Sequence, residues 1–238
     1  MSKSRKIAQS VGKAGFAIVP RVLPPSAIHR LILLTEQADD QTSIRNRGGV
    51  YAIRNLLDVV PAVRRLAAST EIRSLVESVL STKAFPVRGL LFDKRPEANW
   101  KVPWHQDLTI AVKEKRDTPG FGPWSIKAGV LHVQPPVAVL ETMLAVRIHL
   151  DDCDESNGPL RVIPGSHLLG RLSTEQIREM SAPPAVSCTV EAGGALLMRP
   201  LLLHASSASR SPLHRRVIHI EFASCDLPGE LEWLFDGQ

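Results

Sequence analysis

Val102-Pro103-Trp104-His105-Gln106-Asp107-Leu108 places an imidazole and a carboxylate two positions apart. In an extended backbone successive side chains alternate faces, so His105 and Asp107 point one way and Gln106 the other. The pair supplies two of the three ligands of a 2-His-1-carboxylate triad. That donor set suits Fe(II) and leaves three coordination positions open. Completing it requires a second histidine from a later strand, with a carboxylate-binding cation behind it.

The surroundings of the motif set the fold class. From residue 84 onward, short apolar runs alternate with Gly, Pro and Asn punctuation, as in a sandwich or barrel. Strands are expected over 85–92, 129–134, 143–150, 160–163, 185–190, 195–198, 201–205 and 216–222. Asn157-Gly158 signals a hairpin turn. Ser173 with Gln176 makes a capping box for a short helix through Met180. Residues 108–128 begin polar, turn Pro- and Gly-rich, and directly follow the motif, which makes them a candidate lid loop.

Upstream, Gly15 to Val19 reads as a strand. Pro24-Pro25-Ser26 opens a helix with Ser26 as N-cap and Ile28, Leu31, Ile32 and Thr35 as its inner stripe. Residues 41–50 read as loop and 61–68 as a brief helix. A clearer helix follows Ser69-Thr70, carrying Ile72, Leu75, Val76, Val79 and Leu80. The fold expected is mainly β with N-terminal helices (α+β), its core a double-stranded β-helix of the jelly-roll, cupin-like kind. We expect one domain over 1–238, mostly helical over 1–83 and β-helical over 84–238.

Composition narrows the function classes. Of 238 residues, 44% are hydrophobic and 22% charged, an ordinary globular balance. The net charge is +5. Its basic residues are scattered apart from Lys3, Arg5 and Lys6, which read as a solvated tail, so no nucleic-acid partner is expected. Cys153, Cys188 and Cys225 form no CxxC pair and are odd in number, which argues against a zinc ribbon or a disulfide framework. Gly12, Lys13 and Gly15 interrupt any signal-like apolar run. No segment reaches the roughly 18 apolar residues of a membrane span. A cytoplasmic protein acting on a small molecule, with no membrane partner, is the expectation; the sequence carries no signal of oligomeric state.

The second histidine arrives in Leu201-Leu202-Leu203-His204-Ala205-Ser206. Eleven positions on, Arg215 opens the last strand. Arginine is well shaped to hold a carboxylate through two parallel hydrogen bonds, and the Ser206 hydroxyl could donate to the same group. A competing His-x-Asp stands at His149-Leu150-Asp151. Arg216 competes with Arg215, and the two face opposite sides of their strand. His132 and Gln134 alternate toward one face of the strand after the lid, as candidates to touch substrate or co-substrate. Trp124 is a packing anchor or a substrate platform.

Several of these pieces, in this order, resemble the phytanoyl-CoA dioxygenase family of Fe(II)/2-oxoglutarate-dependent oxygenases. They are Trp104-His105-Gln106-Asp107, Leu150-Asp151-Asp152 through Asn157-Gly158-Pro159-Leu160, Pro164-Gly165-Ser166-His167, and His204-x-Ser206 with Arg215. The resemblance implies Fe(II) held by His105, Asp107 and His204. It implies 2-oxoglutarate with its far carboxylate on Arg215 and Ser206, Gln134 being a further candidate contact. The eleven-residue spacing from the histidine favours Arg215 over Arg216. The implied reaction hydroxylates a C–H bond of a small organic metabolite while 2-oxoglutarate and O2 become succinate and CO2. The alternative is a non-catalytic cupin-like metal- or ligand-binding module. A 2-oxoglutarate halogenase would need a small residue in place of Asp107, and the downstream arginine argues against a zinc hydrolase.

Overall fold

A computed structural model describes residues 2–39, 43–46, 50–181, 185–210 and 213–235. In chain order the N-terminal part runs α1 (Lys3–Ala14), β1 (Phe16–Val19), α2 (Pro25–Glu36), β2 (Ile44–Asn46), β3 (Val50–Ile53), α3 (Leu56–Val59), α4 (Pro61–Ala67) and α5 (Thr70–Leu80). Then follow β4 (Phe85–Lys94), β5 (Val102–His105), β6 (Ile110–Val112), β7 (Trp124–Lys127), β8 (Val130–Val133), α6 (Val137–Glu141), β9 (Met143–His149) and β10 (Leu160–Val162). After a 3-10 turn at Ser166–Leu169 come α7 (Thr174–Met180), β11 (Val186–Cys188), β12 (Ala195–Met198), β13 (His204–Ser206) and β14 (Arg215–Ala223).

Among the described residues the major sheet has the order β1-β12-β9-β14-β4-β3-β2, and the minor sheet β11-β10-β13-β5. They face each other as the two walls of a jelly roll. Ala145, Leu196 and Met198 from one wall pack with Leu160, Val162 and Cys188 from the other. The strand β9 explains why both faces of the major sheet are covered. Leu144, Val146 and Ile148 point outward into the helices, beside Ile72, Val76 and Ile220. Each such buried aliphatic contributes about 1.5–3 kcal/mol by leaving water. That reserve offsets the cost of the inward face, where the same strand buries Arg147 and His149. Close packing fixes the spacing too: a Cβ on Gly89 of β4 would stand 2.9 Å from Leu57 Cγ on α3.

The structure departs from the sequence reading in several places. The basic N-terminus is not a tail: Ser2 caps α1, whose Ile7 and Val11 are buried while its charges face out. Helix α2 is capped by Pro24 without a side-chain hydrogen bond, and Ser26 lies inside it. Of the stretch 41–50, residues 44–46 form β2 and Val50 starts β3, while 41, 42 and 47–49 lie outside the described residues. Residues 108–128 are not a continuous loop, since β6 and β7 flank β8 in a third sheet of order β6-β8-β7. Strands of three or four residues are too short to show alternation. Their partner is tertiary, with Ile110 and Val112 buried against Leu231 and Trp233.

Asn157-Gly158 is a turn but no hairpin. It carries the chain from β9 in one wall to β10 in the other, with Gly158 at φ +71°. Leu201 to Leu203 is likewise no strand. The three leucines point into three different apolar clusters, which an alternating strand cannot do, and His204 therefore begins β13 rather than ending a strand. The capping box at Ser173 and Gln176 is present with both hydrogen bonds.

Candidate active site

Strands β5 and β13 pair antiparallel with His105 directly opposite His204. Their rings lie 4.2 Å apart. Asp107 follows β5 and is held by its backbone N–H, which donates to Pro200 O at 2.9 Å. His105 Nε2 is 3.7 Å from Asp107 Oδ1, and His204 Nε2 is 3.8 Å from Oδ2. One ligand atom from each residue falls within 4.8 Å of the others, so the three could hold a metal ion.

Each imidazole is oriented by its other nitrogen. His105 Nδ1 lies 2.8 Å from Pro103 O, and His204 Nδ1 lies 2.8 Å from Leu202 O. A carbonyl only accepts, so both Nδ1 atoms carry the proton and both Nε2 lone pairs are presented to Asp107. Burial, with help from His105 and Arg147, pushes His204 down to about 4, so it is neutral at pH 7. Burial opposes ionisation of Asp107, but His204, His219 and His105, with Arg147, hold its carboxyl at about 2.

Gln106 points the other way, as alternation requires. Its Nε2 donates to Gly170 O at 2.8 Å and to Leu201 O at 2.7 Å, and its Oε1 accepts from Leu172 N at 2.8 Å. It ties the motif strand to the leucine turn that delivers His204. Gln106→Leu keeps the volume and strands three backbone groups, two of them buried. At about 1 kcal/mol each, this should cost roughly 2–4 kcal/mol, read as a lower urea midpoint. An unchanged midpoint would remove this role.

Deeper in, Arg215 stands opposite Lys94 across the β14–β4 pairing. It is 4% exposed, its Nη1 donates to Gly158 O, and its Nε has no partner among the described residues. Lys94 donates to Ser206 Oγ at 2.9 Å and to Ser207 O. Burial, then Arg215, push the Lys94 ammonium down to about 7. Arg147 donates from Nη1 to His219 Nδ1 at 2.9 Å and also keeps an unpartnered Nε. Burial and Arg215 bring it down to about 10. One cavity of about 230 Å³ is lined by the His105–Asp107–His204 group and by Ser206, Arg147 and Arg215.

Lys94 and Arg147 were missed in the sequence. For Arg147 the available signal was a cation in the middle of a mostly apolar strand, Met143–His149, where every position is buried. The competing pair separates: His149 is pushed by burial down to about 3, while Asp151 is bound by Arg216 through Nη2 at 2.7 Å and Nε at 2.9 Å. Arg216 also reaches Glu36 of α2, so it faces the helices.

Gln134 does not line the cavity; its side-chain oxygen is placed to accept from Arg171 Nε and Nη1 at 2.8 and 3.0 Å. Trp124 pairs across from Val133 and packs on the second apolar cluster, away from the cavity. His132 is 2% exposed and also outside the lining. Its Nδ1 lies 3.0 Å from Val130 O and its Nε2 is unpartnered among the described residues.

The family model described as phytanoyl-CoA dioxygenase matches residues 11–217, most of the chain. The chain belongs to the phytanoyl-CoA dioxygenase family. It is thereby an Fe(II)/2-oxoglutarate-dependent oxygenase, and iron and 2-oxoglutarate are the cofactors of its class. No curated protein matches the chain. Among solved structures it resembles AviO1 from Streptomyces viridochromogenes Tue57, with TM-score 0.68, 24% identity, and coverage of 96% of this chain and 97% of that one. It also resembles the non-heme alpha-ketoglutarate-dependent carbocyclase SnoK from nogalamycin biosynthesis (TM-score 0.72, 18% identity, 95% and 85% coverage). A third is EctD from S. alaskensis, solved with 2-oxoglutarate and 5-hydroxyectoine (0.70, 19%, 94% and 76%). At these identities the likenesses speak for the jelly roll of this phytanoyl-CoA dioxygenase family member. Among the described residues no helix is long and apolar enough to cross a membrane.

Proposed function

We propose that this enzyme hydroxylates a C–H bond of a small organic metabolite, with 2-oxoglutarate and O2 converted to succinate and CO2. His105, Asp107 and His204 would hold Fe(II), a donor set of two neutral imidazoles and one carboxylate that suits it. Arg215 and Ser206 would take the far carboxylate of 2-oxoglutarate. The observation that carries this reading is the pair of Nδ1–carbonyl hydrogen bonds, which present both Nε2 atoms to one carboxylate beside a buried arginine with an unsatisfied N–H. The bound metal, with 2-oxoglutarate and O2, supplies oxidising power that side chains lack.

The chain's own residues do the rest. Arg147 helps keep Asp107 ionised, and Lys94 fixes the Ser206 hydroxyl. The buried Leu201–Leu203 turn leads directly into His204, whose side chain is only 4% exposed. His132 and Trp124, outside the cavity lining, would act on substrate only by supporting β8 and β7. We take residues 1–238 as one domain, since β1 and β14 share a sheet. A cytoplasmic setting, which keeps thiols reduced, suits the free Cys153, Cys188 and Cys225. The test is succinate release with Fe(II), 2-oxoglutarate and ascorbate across a metabolite panel. Slow release alone, stimulated by one compound class, is expected. No release across a broad panel would leave a non-catalytic binding module.

A further inference from the structure

The cavity has a second polar end that the metal and co-substrate reading does not use. Arg54, Arg88 and Lys127 line it on the side of β3, β4 and β7. Arg88 is committed: its Nη1 lies 3.1 Å from Glu221 Oε1, which His219 Nε2 approaches at 3.4 Å. Among the described residues Lys127 donates only to the neutral Thr109 Oγ1, at 3.0 Å. Among the described residues neither Lys127 nor Arg54 is paired with a carboxylate. The cations sit close enough to disturb one another. Burial, then Arg88 and Arg54, push Lys127 below its ordinary range, and burial, then Arg88 and Arg45, do the same to Arg54.

Five lining side chains are cationic (Arg54, Arg88, Lys127, Arg147, Arg215) and two are carboxylates (Asp107, Glu221). Fe(II) and the dianion of 2-oxoglutarate cancel each other, so a surplus of three positive charges stays. Half-buried cations without partners are costly, and an anionic ligand relieves that cost. Next to this end lies a cleft of about 460 Å³ that shares Arg54, Phe92 and Trp100 with the cavity and adds Tyr51, whose ring meets Trp100 at 5.7 Å. A flat apolar body therefore has a wall to lie against beside the two cations.

We propose that the substrate is an anionic amphipath, its carboxylate or phosphate held by Arg54 and Lys127 and its apolar body resting on Trp100 and Phe92. This rests on the oxygenase reading, because it assigns Arg215 and Ser206 to the co-substrate.

The test is calorimetric titration of the full chain, loaded with Mn(II) and 2-oxoglutarate, with 1-naphthyl phosphate, 1-naphthoate and neutral 1-naphthylmethanol. At least one anion should bind and the alcohol should not; the stronger anion names the group. The double variant Arg54→Ala/Lys127→Ala should weaken the anion at least about tenfold, since two charged hydrogen bonds are removed. Arg54→Lys/Lys127→Arg should keep it within about threefold. Binding of 2-oxoglutarate, titrated separately, should be unaltered in the double variant and weakened by about 100-fold or more in Arg215→Ala. The proposal is overturned if no anion binds, if the alcohol binds as well, if the double variant is unaffected, or if 2-oxoglutarate displaces the probe. Failure of 2-oxoglutarate to bind the wild-type chain would instead sink the co-substrate assignment, an outcome read in a separate titration.

Discussion

Asp107→Ala should abolish 2-oxoglutarate turnover and weaken Fe(II) binding by more than about 100-fold. Loss of a residue that merely orients a ligand costs about 10–100-fold in metal affinity, and loss of the only anionic ligand must exceed that. Asp107 also interacts with the charges of Arg147, His105, His204 and His219. Removing it leaves these cations and imidazoles facing one another, which further disfavours a divalent cation. The fold should survive, because the side chain is 34% exposed and Asp107 is tied to Pro200 through its backbone. Iron binding by calorimetry, with circular dichroism as the folding control, checks both halves. A folded variant that binds iron normally would remove Asp107 from the triad.

Arg215→Ala has the second largest expected effect. Breaking a buried ion pair by removing one partner costs about 3–5 kcal/mol. Affinity for 2-oxoglutarate should therefore fall by roughly two to three and a half decades, with iron binding largely intact. Lys94 and Arg147 remain nearby, so the loss should lie toward the lower end of that range. Arg216→Ala supplies the contrast. Its guanidinium is occupied by Asp151 and Glu36 on the helix side and does not line the cavity, so 2-oxoglutarate affinity should hold within about threefold. The reverse pattern would exchange the two arginines.

Much of the site was legible because it rests on local periodicity. The two-residue alternation that separates His105 and Asp107 from Gln106 is visible in four letters. An imidazole closing three leucines is conspicuous, and so is an arginine opening the last strand. What stayed hidden depends on tertiary partners. Lys94 and Arg147 gain their meaning only from pairing: Lys94 reaches Ser206 on the opposite wall, and Arg147 meets His219 on the neighbouring strand. Arg54 and Lys127 lie far apart in sequence, and only the sheet packing brings their charges to one cavity end. The leucine turn misread as strand shows the same limit, since three consecutive buried leucines look alike whether they alternate or splay into three clusters. Gln134 shared a face with His132 in the sequence pattern, yet Arg171 captures its amide.

The most direct measurement is an anaerobic titration of the wild-type chain, first with Fe(II) and then with 2-oxoglutarate, followed by calorimetry and visible charge-transfer absorption. One iron per chain, with absorption that appears only when 2-oxoglutarate is added and is absent in His204→Ala, is the predicted result. Iron bound equally tightly by a folded His105→Ala/Asp107→Ala/His204→Ala variant would contradict it.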